Sequence, residues 1–135
     1  MKKVLSIILC VSLCIMFSKP VLAASSSISK TIRLTTYNKT KLSFGSLTGT
    51  DIQITQVKIY INRSSGTEGS FVICLESPSG TIIKLKPSSG SVIYSTSNFN
   101  GENPKGTWYA WIEMDETASI QNVTVSATVT VTYSY

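Results

Sequence analysis

The side chains able to do chemistry are few, and most lie in the second half of the chain. Glu113, Asp115 and Glu116 fall within four positions of one another. Two carboxyl groups about 5–9.5 Å apart can run glycoside hydrolysis, one as acid and the other as nucleophile or base. On an extended strand Glu113 and Asp115 share a face, but no neighbouring motif positions a sugar, so they read as solvated strand-end charges. Cys74 lies inside Phe71-Val72-Ile73-Cys74-Leu75, the setting of a small buried hydrophobe rather than of a reactive thiol. The 135 residues include no histidine, which excludes a Ser-His-Asp triad, a Cys-His pair and imidazole ligation of a metal. No nucleophile elbow, Walker loop or zinc-ligand spacing occurs. The chain is therefore not expected to be an enzyme.

Binding is better provided for. Strand parity sets Trp108 with Ala110 and Ile112, and Tyr109 with Trp111 and Glu113. With the first set on the core, Tyr109 and Trp111 stand outward; the alternative in a sandwich is that both sets are covered. Aromatic rings beside polar groups there can fill a partner's pocket or stack on a sugar. Tyr133 and Tyr135 share one phase of the last strand, and either face can take them.

The elements that must position these residues all read as strands. Val123, Val125, Ala127, Val129, Val131, Tyr133 and Tyr135 alternate with Ser and Thr, the period-2 signature of a half-buried strand. Its length predicts a bend or a bulge. Ile52 and Ile54 share one phase while Val57, Ile59 and Ile61 share the other, so a bulge is predicted at Thr55-Gln56. Residues 71–75 are apolar on both phases and read as a central strand covered on both sides. Residues 32–37, 42–44, 81–85, 91–94 and 108–114 complete the set, separated by Gly-, Pro- and Asn-rich turns. No segment beyond the first twenty residues holds a 3.6-residue apolar period. Seven or eight short strands with turns every 8–12 residues predict an all-β antiparallel sandwich or jelly roll.

The first segment reads as an address. Met1-Lys2-Lys3, an apolar run over 4–17 and the small residues Ala23 and Ala24 match a secretory signal of bacterial type, cleaved after Ala23 or Ala24. A membrane span needs about 18 or more apolar residues. Residues 1–23 are thus assigned to the signal and 24–135 to one secreted domain, with no membrane association after cleavage. Loss of Lys2, Lys3 and Lys19 takes twelve Lys and Arg to nine, against seven Asp and Glu. Such a weak balance does not suit nucleic acid as a partner. Cys10 and Cys14 leave with the signal, so Cys74 remains without an internal disulfide partner and the core must hold the fold together. Asn38, Asn62 and Asn122 begin Asn-x-Ser/Thr motifs, which matter only in a host that glycosylates.

Two turns are more specific than generic loops. Leu75-Glu76-Ser77-Pro78-Ser79-Gly80-Thr81 joins two apolar strands, and Gly101-Glu102-Asn103-Pro104-Lys105-Gly106-Thr107-Trp108 leads into another. With the preceding Val/Ile strand, this pairing resembles the P domain of proprotein convertases and of related bacterial secreted proteases. The resemblance covers about residues 52–113. Gly69 matches the family pattern, Ser70 stands where the family has Asp, and the closing Val/Thr strand replaces a Trp-x-Leu one. The resemblance implies an eight-stranded jelly roll and a non-catalytic module. In that family the module packs on a protease and stabilises it. No protease precedes it here, so action in trans is expected.

Ser77, Pro78, Gly80, Gly101, Glu102, Pro104, Gly106, Thr107 and Trp108 are accordingly read as structural, with the Glu102 carboxylate accepting hydrogen bonds within its own loop. Calcium is the one cofactor weighed, through Glu102 with Asp51 or with Glu113, Asp115 and Glu116. That ion takes six to eight oxygens, no Asp-rich ligand loop is visible, and none is expected. The partner expected first is a secreted or cell-surface protein. The second reading is a polysaccharide or cell-wall ligand stacked on Tyr109 and Trp111. The third is self-assembly, with the terminal strand adding to a neighbour's sheet edge.

Overall fold

A computed structural model describes residues 23–36, 38–62, 71–88, 90–114 and 123–135. Residues 1–22 of the signal read at 1–23, with Cys10 and Cys14, the Gly69-Ser70 pair, Asp115, Glu116 and the Asn122 motif lie outside them. The described residues form β1 (Ser25–Thr35), β2 (Thr40–Leu42), β3 (Gln53–Asn62), β4 (Phe71–Glu76), β5 (Ile82–Leu85), β6 (Val92–Thr96), β7 (Trp108–Met114) and β8 (Thr124–Ser134). One sheet runs β1-β8-β3-β6 and the other β2-β7-β4-β5, each with antiparallel neighbours. Successive strands cross from sheet to sheet at every step except β4 to β5, and this double Greek-key order is a jelly roll.

Parity builds the core. On β8 the buried set is Val123, Val125, Ala127, Val129, Val131 and Tyr133, while the Ser and Thr phase faces out. Val57, Ile59 and Ile61 of β3 meet Val131, Val129 and Ala127 across the ladder. The register shifts between Ile54 and Gln56, so the bulge read at Thr55 is present and both apolar phases of β3 reach the core. For β8 a bend or a bulge was expected; its ladder with β1 shows no register shift over eleven successive residues. β1 also begins seven residues earlier than its apolar pattern, because Ser25–Thr31 is held by β8's backbone rather than by its own burial. Where β1 ends, the buried Thr36 hydroxyl accepts from Val123 N–H at 2.8 Å, and the Thr36 N–H donates to Val123 O at 3.2 Å. That tie fixes where β8 begins.

The terminal strand is interior to its sheet, so it has no free edge for a second copy to extend. The long exposed edge is β1, and there Lys30 occupies the core-facing phase between Ile28 and Ile32. An inward-pointing charge on an edge strand discourages edge-to-edge pairing. Tyr133 is buried, and hydrogen bonds from Thr48 and Ser26 hold its phenol below the usual range; Tyr135 is exposed.

The two motif turns meet at one end of the sandwich. Buried Ser77 accepts the Thr81 N–H on its Oγ at 3.2 Å, and Gly80 takes φ +87°. The second turn zips onto the start of β3, with Ile54 N–H donating to Glu102 O at 2.8 Å and Gly101 N–H to Ile54 O at 2.9 Å. Phe99 and Phe44 pack edge-on against Trp108 at 5.2 and 5.7 Å, and the indole N–H donates to Pro104 O at 3.1 Å. A Cβ on Gly106 would lie 2.8 Å from the Pro78 Cβ, at φ +129°. On Gly80 it would meet nothing within 4 Å. Gly80→Ala should therefore cost about 1 kcal/mol from its backbone angle alone. Gly106→Ala carries the same strain plus a clash between the turns and should cost about 2–4 kcal/mol. Urea unfolding of the two variants measures the difference, and equal losses would contradict the contact between the turns.

Candidate functional site

The outer face of the β2-β7-β4-β5 sheet carries Tyr109 and Trp111 side by side on β7. Tyr109 lies across from Lys41 on β2 and Glu76 on β4, and Trp111 lies across from Cys74. Cys74 in turn faces Lys84 on β5. Trp108, Ala110 and Ile112 are buried while Tyr109, Trp111 and Glu113 are half-buried, so the parity expected for β7 is the one found.

Charged groups frame the two rings. Lys39, just before β2, brings its Nζ to 4.3 Å from the Trp111 ring centroid and 5.7 Å from that of Tyr109. The same ammonium donates to Glu76 Oε2 at 2.9 Å. On the other side the Trp111 indole N–H donates to Glu113 Oε1 at 3.0 Å, and Lys84 Nζ donates to Glu113 Oε2 at 2.6 Å. A continuous string Glu76–Lys39–Trp111–Glu113–Lys84 thus crosses the sheet. Lys84 and Glu113 side chains are 60% and 40% exposed, and such pairs contribute only about 0–1 kcal/mol. Their consequence is orientation: both the indole N–H and one ring face are already engaged. The Lys84 hydrogen bond, followed by that of the indole, holds the Glu113 carboxyl below its ordinary range, and the same pairing raises Lys84.

β4 is central, as its apolar run suggested, but its two faces are covered by different means. Phe71, Ile73 and Leu75 enter the core, whereas Cys74 shares the outer phase with Val72 and Glu76 and is nevertheless fully buried. Its cover is the layer of side chains on its own sheet, Trp111 and Lys84 beside it. Burial first, then the Glu113 charge and hydrogen bond, push the thiol from 9.0 up to about 12, against smaller opposing effects of Lys84 and Lys39. At neutral pH the group is a protonated thiol without nucleophilic character.

The remaining candidates lie away from these rings. Glu102 Oε1 accepts the Thr81 hydroxyl at 2.5 Å, tying one motif turn to the other, and its Oε2 is buried without a hydrogen-bond partner. Thr107 is half-buried just ahead of β7. Asp51 is an exposed residue at φ 54°. Among the described residues no group of three His, Cys, Asp or Glu is placed to hold a metal ion. Glu113, one of the paired carboxylates, is engaged with Lys84 and Trp111. Sequence reasoning missed the role of Lys39, which β1 and β2 bring to the rings. Its signal was slight: a lysine one residue ahead of a short strand that pairs with β7.

No family model and no curated protein matches the chain. Among solved structures, the crystal structure of FlhE superposes with a TM-score of 0.56 at 16% identity, covering 84% of this chain and 100% of that one. A pilus structure described as Bacillus endospore appendages forming disulfide-linked pili covers 87% of this chain and 96% of that one, at a TM-score of 0.40 and 15% identity. The FlhE likeness is one of fold.

Two measurements check the layer over Cys74. In the chain beginning at Ala24, whose one thiol is Cys74, Trp111→Ala should accelerate modification by a thiol reagent about tenfold or more by uncovering the sulfur. A rate equal to that of the unaltered protein would mean that Trp111 is not its lid. The raised pKa also has a sign. Above pH 9 the unfolded chain loses the thiol proton while the folded chain keeps it, so stability falls as pH rises from 9 toward about 12. Cys74→Ala should remove that part of the alkaline loss in urea titrations at pH 8 and pH 11.

Proposed function

We propose that the chain is a secreted, non-catalytic β-sandwich module that works by protein–protein contact, as an accessory or stabilising partner in trans. The observation that carries this reading is the Tyr109–Trp111 pair, half-buried on a sheet face and held in fixed orientation by Lys39 and Glu113. Pre-oriented aromatic residues within a polar rim lose little side-chain freedom on binding, which is the composition of an interface hot spot. The P-domain likeness is consistent with this role, because its two turns pack on each other through Pro78, Gly106, Thr81 and Glu102. Export rests on the signal pattern of the first residues. A sugar stacked on Trp111 would have to displace Lys39 from the ring face it covers, so this pair favours a protein over a polysaccharide.

The test is capture of partners from the native culture medium on the immobilised chain, beside a Tyr109→Ala, Trp111→Ala double variant. One protein retained in stoichiometric amount by the first and lost by the second is the expected result. Retention unchanged in the double variant, or no protein retained, would remove this face from the argument.

A further inference from the structure

The second sheet has a different outer surface. The strands β1, β8, β3 and β6 contain Lys30, Arg33 and Lys58 and no acidic residue, whereas Glu76 and Glu113 both lie on the opposite sheet. Among the described residues the ion pairs are Lys39–Glu76 and Lys84–Glu113, so neither Arg33 nor Lys58, both on an exposed face, is paired with a described carboxylate. Their surroundings are hydroxyls. Register places Ser29, Thr130, Lys58 and Ser95 in one row across all four strands. The next row is Thr31, Thr128, Tyr60 and Ile93. Ser29 bonds Thr130 and Thr31 bonds Thr128, each at 2.8 Å, which holds the hydroxyls in position.

Within this field Tyr60 is 40% exposed and its neighbour Ile93 66%, the most exposed large apolar pair among the described residues. Among the described residues no cation covers the Tyr60 ring, in contrast to Trp111. Sheet spacing sets Lys58 about 7 Å from Tyr60 along the strand, and Arg33 about 12 Å away across two strands. An open aromatic ring, aligned hydroxyls and separated cations, on four strands that hold no acidic residue, match the chemistry of a sugar polymer bearing regular negative charges. The ring takes a pyranose face, the hydroxyls take its hydroxyls, and Lys58 and Arg33 take the anions. β8 and β3 are interior strands, so a peptide cannot add to them through its backbone.

We infer that the outer face of the β1-β8-β3-β6 sheet binds an acidic polysaccharide, centred on Tyr60 with Lys58 and Arg33 as its anion contacts. This site is separate from the Tyr109–Trp111 face and stands or falls independently of it.

Affinity electrophoresis of the exported chain through gels containing polygalacturonate, phosphomannan, neutral dextran or poly-glutamate tests the assignment. Retardation by polygalacturonate or phosphomannan but not dextran is expected, and the polymer that retards identifies carboxylate or phosphate as the anion. Tyr60→Ala should weaken it about tenfold, and the Lys58→Gln, Arg33→Gln pair by at least as much, with salt weakening the unaltered protein. Ile82→Ala, on β5 of the opposite sheet, should change nothing. The substituted residues are all exposed, and an unaltered melting temperature in each variant confirms that folding is intact. No retardation by either acidic sugar polymer would overturn the inference. So would retardation by poly-glutamate of equal strength that Tyr60→Ala leaves untouched, which would mark the face as a general anion surface.

Discussion

Strand β8 is the constraint on which the rest of the sandwich depends. Its inner phase supplies a run of valines and an alanine to the core, and its backbone pairs with β1 on one side and β3 on the other. Removing it would leave β1 without a partner strand and open the core along eleven residues. Its start is set by the Thr36–Val123 exchange and its end by Tyr133, whose ring lies 6.1 Å from that of Tyr135. The strand satisfies its backbone only with both neighbours in place, so the first and last segments of the domain form as one unit. Long-range pairing of this kind is slow to nucleate but cooperative once made.

A second constraint works at the end where the motif turns meet. Trp108 is the largest fully buried side chain, and it fills the space between Phe44 and Phe99. Its indole N–H is satisfied by Pro104 O within its own approach loop, so burial leaves no orphan donor. The loop can take that shape because Gly101 and Gly106 adopt positive φ and because Ile54 accepts and donates across from it. In a domain with a single thiol, this packing does the work that disulfides do in many small secreted domains.

The periodic parts of the fold were legible in the residues. Parity assigned the two faces of β7 and β8, and the phase change at Thr55 announced its bulge, because burial on one side leaves a period-2 record. Ser25–Thr31 left no such record, since β8's ladder rather than apolar contact places it in a sheet. The same holds for the site. Tyr109 and Trp111 could be set outward from strand parity, but Lys39 arrives by tertiary pairing and closes one ring face. Cys74 read as a residue between two layers, and it is covered instead by side chains of its own sheet. Tyr60 sits past the bulge of β3, where alternation is clean, so its outward placement was available; that the strands around it hold no acidic residue depends on which strands share its sheet.

The jelly roll separates inner from outer residues so strictly that its two outer faces can differ in kind without cost to the core. One face carries aromatic rings locked by opposite charges, and the other carries hydroxyls that bond one another between strands. Neither arrangement touches the buried valines and isoleucines beneath. Packed sheets lie about 10 Å apart, beyond the range at which substitutions usually couple. Changes on the Trp111 face and on the Tyr60 face should then act independently. A small domain built this way can hold two unlike surfaces back to back, each rigid because the hydrogen-bonded strands beneath it are fixed by the shared core.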